Sequence, residues 1–138
     1  MRVYISGPLT ITRPDTDVRS IYVRLGDFFT SRGHDAYVPH LFGDPVAERT
    51  LTPKEVWDTD SREVEKADVI LAYVGMPSLG TGAELEIARM AGKRVILWKF
   101  TGEVVSRMAL GNPAVTDILE VDSVNTLEAK LIGLFSHS

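Results

Sequence analysis

Apolar positions along this chain switch between two periods. Short β-branched and aromatic runs read as strands: Arg2 to Ser6, ended by Gly7-Pro8; Asp35 to Pro39; Val69 to Val74, ended by Gly75 and Pro77; Val95 to Trp98; and Asp117 to Val121. Between them the spacing is helical. Val18, Ile21, Tyr22, Leu25, Phe28 and Phe29 predict a helix closed by Gly33, with Asp15 or Thr16 as its cap. Thr52-Pro53-Lys54-Glu55 joins a Thr cap, a Pro at the first helical position and a Glu at the third, so a helix should run from there to about Lys66. Its face carries Val56, Trp57, Asp60 and Val64. Further helices are expected over Ala83 to Ala91, Glu103 to Leu110 and Ser123 to about Leu134, the last capped by Ser123 or Asn125, and His40 to Thr50 reads as a loop. Strands alternating with helices through short connections predict one α/β domain over residues 1–138, with a parallel sheet covered on both faces.

The stretch from Asp68 to Trp98 is a complete βαβ unit. Its first connection, Ser78-Leu79-Gly80-Thr81-Gly82, should lie outside the carboxyl end of a strand, where doubly wound sheets bind ligands and helix N-termini meet anions. Glu84 follows at once. A Glu in a first helical turn ordinarily does no more than complement the helix dipole, by about 0.3–1 kcal/mol. The Gly-Thr-Gly before it is poor helix material unless backbone must approach a ligand, and the dipole would keep the carboxylate ionised, as a nucleophile requires. Glu86, two residues on, reads as a solvated surface charge. Asp60 places a second carboxylate on an apolar stripe, where an edge-of-surface position is as good an explanation from pattern alone as an approach to the same crevice. Tyr4, judged by itself, is an ordinary strand aromatic.

Composition narrows the field. The 138 residues carry a net charge of −4 and no Lys/Arg cluster, which argues against extended nucleic acid as a partner. With no cysteine, disulfides, thiolate chemistry and Cys-ligated zinc are excluded. His34, His40 and His137 form no metal-ligand spacing, so no metal is expected. No segment approaches membrane-spanning length, and MRVYIS enters a strand directly instead of a signal peptide, so a cytoplasmic protein with no membrane partner is expected.

Three motifs in order, VYISGP at the N-terminus, DSREVEKADVILA from Asp60 and PSLGTGAELEIA around Glu84, resemble the nucleoside 2-deoxyribosyltransferase family over nearly the whole chain. The similarity is strongest to its 2'-deoxynucleoside 5'-phosphate N-hydrolase branch. The resemblance implies a flavodoxin-like (Rossmann-like), doubly wound, five-stranded parallel sheet, a homodimer, a small nucleotide or nucleoside as substrate, no cofactor, and N-glycosidic cleavage through a covalent glycosyl-glutamate. Matched by position, Glu84 is the nucleophile, Asp60 assists at sugar and base, and Tyr4 contacts the reacting centre. Ser78 stands where the transferases carry an aspartate. As in the hydrolases, Ser78 and Gly80 would hold a 5'-phosphate, with Gly82 beside them, and Ser106 would reach the neighbouring subunit's phosphate. His40 resembles a base-pocket histidine, and Ser6, Gly7, Pro8, Thr10 and Arg19 fall in the substrate-binding segment. Pro8 and Thr10 replace a serine and an arginine of the hydrolases, and Arg13 or Arg19 are the cations near enough in sequence to compensate.

The residue types suit the chemistry: an ionised carboxylate beneath an oxocarbenium-like carbon can trap the sugar while a second group protonates the leaving base. Other readings are a deoxyribosyltransferase passing the sugar to a second base, and a non-catalytic nucleotide-binding module. The pair Glu84 and Asp60 weighs against the last. A GGxGTxxE phosphoribohydrolase loop does not fit, because Glu84 follows the GTG one residue too soon.

Overall fold

In chain order the elements are β1 (Arg2–Ser6), α1 (Val18–Thr30), β2 (Asp35–Tyr37), α2 (His40–Gly43), α3 (Pro53–Lys66), β3 (Val69–Tyr73), α4 (Leu79–Met90), β4 (Arg94–Phe100), α5 (Arg107–Leu110), β5 (Val115–Val121) and α6 (Val124–Phe135). This is a computed structural model, and it describes residues 1–9, 17–43 and 51–136. The strands pair in parallel in the order β2-β1-β3-β4-β5, the flavodoxin-like arrangement. From β1 the chain turns outward to β2, and from β3 it turns the other way to β4. The crevice between the carboxyl ends of β1 and β3 is therefore the topological switch point.

Side-chain alternation divides the core in two. Val3, Ile5, Leu71, Tyr73, Ile96 and Trp98 pack on the face covered by α1 and α6, against Val18, Tyr22, Leu25, Phe29, Leu127 and Leu131. Tyr4, Ile70, Ala72, Val95 and Leu97 pack on the opposite face, with Val64 of α3 and Leu85 and Ala88 of α4. All five β3 residues are buried, which is why that strand reads as an unbroken apolar run. The same alternation puts Tyr4, and Ser6 two residues on, towards α3 and α4.

Several boundaries differ from the sequence expectation. α1 is capped by Asp17, whose Oδ1 accepts from the Ser20 N–H at 3.4 Å; Asp15 and Thr16 lie outside the described residues. α2 forms at the start of the expected loop, where the Leu41 N–H reaches the Val38 carbonyl. α4 begins four residues earlier than expected. Ser78 caps it by accepting from the Thr81 N–H at 3.1 Å, so the helix begins at Leu79 and the Gly-Thr-Gly is helical, both glycines at negative φ. α5 begins only at Arg107, because Glu103 is held in a turn by the Tyr73 hydroxyl and the Phe100 N–H. α3 has the expected Thr52 cap but is buried only at Val64, near its end, which leaves Trp57 55% exposed.

At the mouth of the switch point, Tyr22 of α1 crosses over Gly7 and donates its hydroxyl to the Pro8 carbonyl at 3.1 Å. A Cβ on Gly7 would lie 2.1 Å from Tyr22 Oη and 2.4 Å from Cζ. Tyr22 is 1% exposed and has no room to withdraw. Gly7→Ala should therefore destabilise the fold by about 1–3 kcal/mol, as overpacking does. Urea unfolding of the variant with an unchanged slope and an earlier midpoint is the expected result.

Candidate active site

Four of the residues singled out in the sequence converge above the sheet. β1 supplies Tyr4 and Ser6, α3 supplies Asp60, and α4 supplies Glu84. Tyr4 and Ser6 are 0% and 1% exposed. Tyr4 Oη, Ser6 Oγ and Glu84 Oε2 are all shut off from solvent without a hydrogen-bond partner among the described residues. Leaving such groups unmade costs about 1–3 kcal/mol each, so a cluster of them marks a place kept ready for something else.

The electrostatics follow from burial. Because α4 starts at Ser78, Glu84 lies in its second turn and not in the first, away from the helix terminus whose dipole was expected to hold it ionised. Desolvation instead pushes its pKa from 4.5 up to about 8; the Tyr4 and Ser6 hydroxyls pull it down and the charge of Asp60 pushes it up. Both hydroxyls lie near enough to favour the carboxylate, but neither closes a full hydrogen bond with it. The expectation of a dipole-held charge on Glu84 is thus corrected: the helix terminus lies a turn away, and desolvation works against its ionisation. Asp60 is pushed up to about 6, by burial first; the Tyr37 hydroxyl, 3.4 Å from Oδ1, pulls it down, and Glu63 pushes it up. Tyr4 is held far above the usual phenol range by burial and by the Glu84 and Asp60 charges, so it stays a donor.

The remaining predicted residues fall into two groups. Ser78, Gly82 and Ser106 line a groove of about 850 Å³ beside α4, together with Thr81, Leu85, Glu86, Val104 to Ala109 and Asn112. Ser78 and Ser106 both spend a lone pair on capping, Ser106 accepting from the Met108 N–H at 3.2 Å, and each can still donate its O–H. Gly80 sits in the first turn of the same helix. An added Cβ at Gly80 would meet only Ser78 Oγ, at 3.9 Å, and one at Gly82 would meet nothing within 4 Å. Gly7 and Pro8 are pinned by Tyr22, Arg19 donates to the Leu9 carbonyl at 2.5 Å, and the His40 ring stands 6.2 Å from that of Tyr22. Thr10, Arg13 and His137 lie outside the described residues. Glu86 is exposed and paired with Arg89, as a surface charge should be.

Sequence reasoning passed over three residues. Tyr37 touches Asp60, and its partnership depends on strand register, which no local pattern reveals. Thr81 is 4% exposed with its Oγ1 buried and unpartnered among the described residues, and its position inside the GTG was the available signal. Arg107 brings a cation to the groove immediately after Ser106. Among the described residues no group of His, Asp and Glu is arranged to hold a metal ion, and no helix is long and apolar enough to cross a membrane.

No family model matches the chain. It is 30% identical to the 5-hydroxymethyl-dUMP N-hydrolase of Danio rerio, an alignment that covers 93% of this chain and 94% of that protein. It is 35% identical over 97 residues to a Thermofilum pendens protein named 2'-deoxynucleoside 5'-phosphate N-hydrolase 1, covering 70% of this chain and 66% of the relative. Among solved structures, the CMP N-glycosidase of Clostridium botulinum superposes with a TM-score of 0.67 at 18% identity, covering 95% of this chain and 98% of the other. A 2-deoxyribosyltransferase from Bacillus psychrosaccharolyticus superposes at 0.69 and 20%, covering 93% and 90%. The flavodoxin-like sheet is shared with an N-glycosidase and a deoxyribosyltransferase, and the relatives at 30% and 35% identity define the class. The chain belongs to the nucleoside 2-deoxyribosyltransferase family, among its N-hydrolases, and is an enzyme.

The raised pKa of Glu84 has a thermodynamic sign. The folded protein binds this proton more tightly than the unfolded chain, so stability is lost as pH rises from about 4.5 to about 8. Glu84→Gln removes that loss. Its melting temperature should match the native protein's near the acid end of the window and exceed it at the alkaline end, by an amount equivalent to a few kcal/mol. Scanning calorimetry of both proteins across that range checks the sign, and a variant less stable at every pH would contradict it.

Proposed function

We propose that this enzyme hydrolyses the N-glycosidic bond of 2'-deoxynucleoside 5'-monophosphates, releasing the free base and the sugar 5-phosphate through a covalent glycosyl-Glu84 intermediate. The supporting observation is the trio of buried, unpartnered atoms, Glu84 Oε2, Tyr4 Oη and Ser6 Oγ, facing a second carboxylate. Between about pH 6 and 8 the Asp60–Glu84 pair carries one proton. In the reactive arrangement that proton is on Asp60 and the charge is on Glu84, which the Tyr4 and Ser6 hydroxyls favour. A Glu84 oxygen forms a bond to the anomeric carbon as the bond to the base nitrogen breaks, and Asp60 delivers the proton to the base. Water then attacks the glycosyl carbon, giving its proton back to Asp60 and freeing the Glu84 carboxylate.

The phosphate fits the N-terminal end of α4. Ser78, Thr81 and backbone N–H groups offer donors there, and Ser106 and Arg107 stand on the other wall of the groove. Arg107 is a cation beside the groove, in a chain whose sequence has Thr10 at the position of the hydrolases' arginine. Val104 and Met108, 89% and 87% exposed, stand on that wall, and Leu79 at the start of α4 is 97% exposed. Apolar side chains so fully in water suit a second copy of the chain that buries them and brings its own Ser106 to the neighbouring phosphate. A nucleotide substrate would suit a cytoplasmic enzyme.

The native protein should show a higher kcat/KM for a deoxynucleoside 5'-monophosphate than for its nucleoside. Ser78→Asp, which keeps a good helix cap and adds a charge, should reverse the preference, and Glu84→Gln should lower turnover at least ~10³-fold. Preference for the nucleoside, with the base passed to an added acceptor, would assign a transferase instead. In light scattering the native protein should have twice the monomer mass, and Val104→Glu with Met108→Glu should halve it.

A further inference from the structure

Tyr37 stands directly opposite Tyr4 in the β1–β2 ladder, so both side chains leave the sheet on the face covered by α3 and α4. Their rings stack with centroids 5.4 Å apart and planes 25° apart. The Tyr37 hydroxyl donates to Asp60 Oδ1 at 3.4 Å, and the residue is 8% exposed. One side chain on the outermost strand thus touches both Asp60 and the ring that carries the Tyr4 hydroxyl to Glu84.

We propose that Tyr37 is a positioning residue of this site, holding the Asp60 carboxylate in one orientation through its hydroxyl and bracing Tyr4 through its ring. This rests on the hydrolytic role given to Asp60 above. A carboxylate that must give a proton to the leaving base and later take one from water needs its oxygens fixed, and burial alone would not choose between rotamers. Asp60 is faced by Tyr37 from β2, Glu63 from its own helix, Tyr4 from β1 and Glu84 from α4, and Glu63 is itself paired with Arg2 and Lys66. Among these neighbours, Tyr37 is the donor whose hydrogen bond favours an ionised Asp60. A phenylalanine leaves the stacking in place and removes that bond. A leucine removes both.

The test compares Tyr37→Phe and Tyr37→Leu with the native protein. In Tyr37→Phe, kcat should fall about tenfold with KM changed less than about threefold, because the lost bond acts on charge that moves during reaction. The limb of the pH profile that disappears in Asp60→Asn should move to higher pH, since Asp60 loses the group that lowered its pKa. Tyr37→Leu should lose more kcat than Tyr37→Phe through Tyr4. NMR titration of the ¹³C-labelled Asp60 carboxyl in the ligand-free proteins reads the same contact without turnover, and its midpoint should be higher in Tyr37→Phe. If the native protein cleaves no nucleotide, the hydrolase assignment falls and the titration still decides the role of Tyr37. An identical Asp60 titration in native and Tyr37→Phe proteins, or native kcat and pH profile in Tyr37→Phe, overturns the proposal.

Discussion

One carboxylate, half-buried as a residue but with its Oε2 shut off from solvent, governs the rest of this structure. Glu84 sits in the second turn of α4, pressed over the β1 residues Tyr4 and Ser6, and desolvation raises its pKa to about 8. Nothing charged and positive relieves it among the groups that shift it; its helpers are two hydroxyls that lie close without closing full hydrogen bonds. A group in that position is poorly stabilised in the empty protein and better stabilised once a cationic centre lies against it. That is the requirement for a nucleophile facing an oxocarbenium-like carbon, where the interaction must be stronger in the transition state than before it.

α4 does two separate jobs with its faces. Thr81, Leu85 and Ala88 anchor it to the sheet and so fix the height of Glu84 above Tyr4. Ser78, Gly82 and Glu86 turn to the groove shared with Ser106 and Arg107, which Thr81 and Leu85 also line. On the proposed function, one rigid helix would serve both the sugar and the phosphate of the substrate, with the distance between them set by helix geometry and not by loop closure. Sites carried on regular elements keep such distances better than sites on loops.

Much of this was legible in the chain itself. The strand runs, the Thr52-Pro53 start of α3 and the βαβ unit around Glu84 are local patterns, and local patterns fixed the parallel α/β class. Motif resemblance then picked out Glu84, Asp60 and Tyr4, which the fold brings together. Two kinds of feature escaped. The start of α4 was misplaced by four residues because glycines argue against a helix by propensity, whereas the Ser78 cap and the packing of Leu85 and Ala88 outweigh that argument. That shift also takes Glu84 away from the helix terminus and leaves desolvation to oppose its ionisation, since a turn of helix separates a dipole-stabilised carboxylate from a desolvated one. Tyr37 escaped because its meeting with Tyr4 and Asp60 depends on the register of two strands far apart in sequence.

The glycines of α4 tell more in the structure than they did in the sequence. Gly7 and Gly75 have reasons inside the molecule, the Tyr22 ring and the Glu103 carboxylate, which lie where a side chain would go. Gly80 and Gly82 have none: their φ angles suit any residue, and the space around them would accept a methyl group. Each costs the helix about 0.5–1 kcal/mol relative to alanine, with no return within the described residues. A cost without an internal return points outside the chain, to something that must come closer to the backbone than a Cβ permits. At a helix N-terminus beside two serines and an arginine, the phosphate of the proposed substrate fits that description.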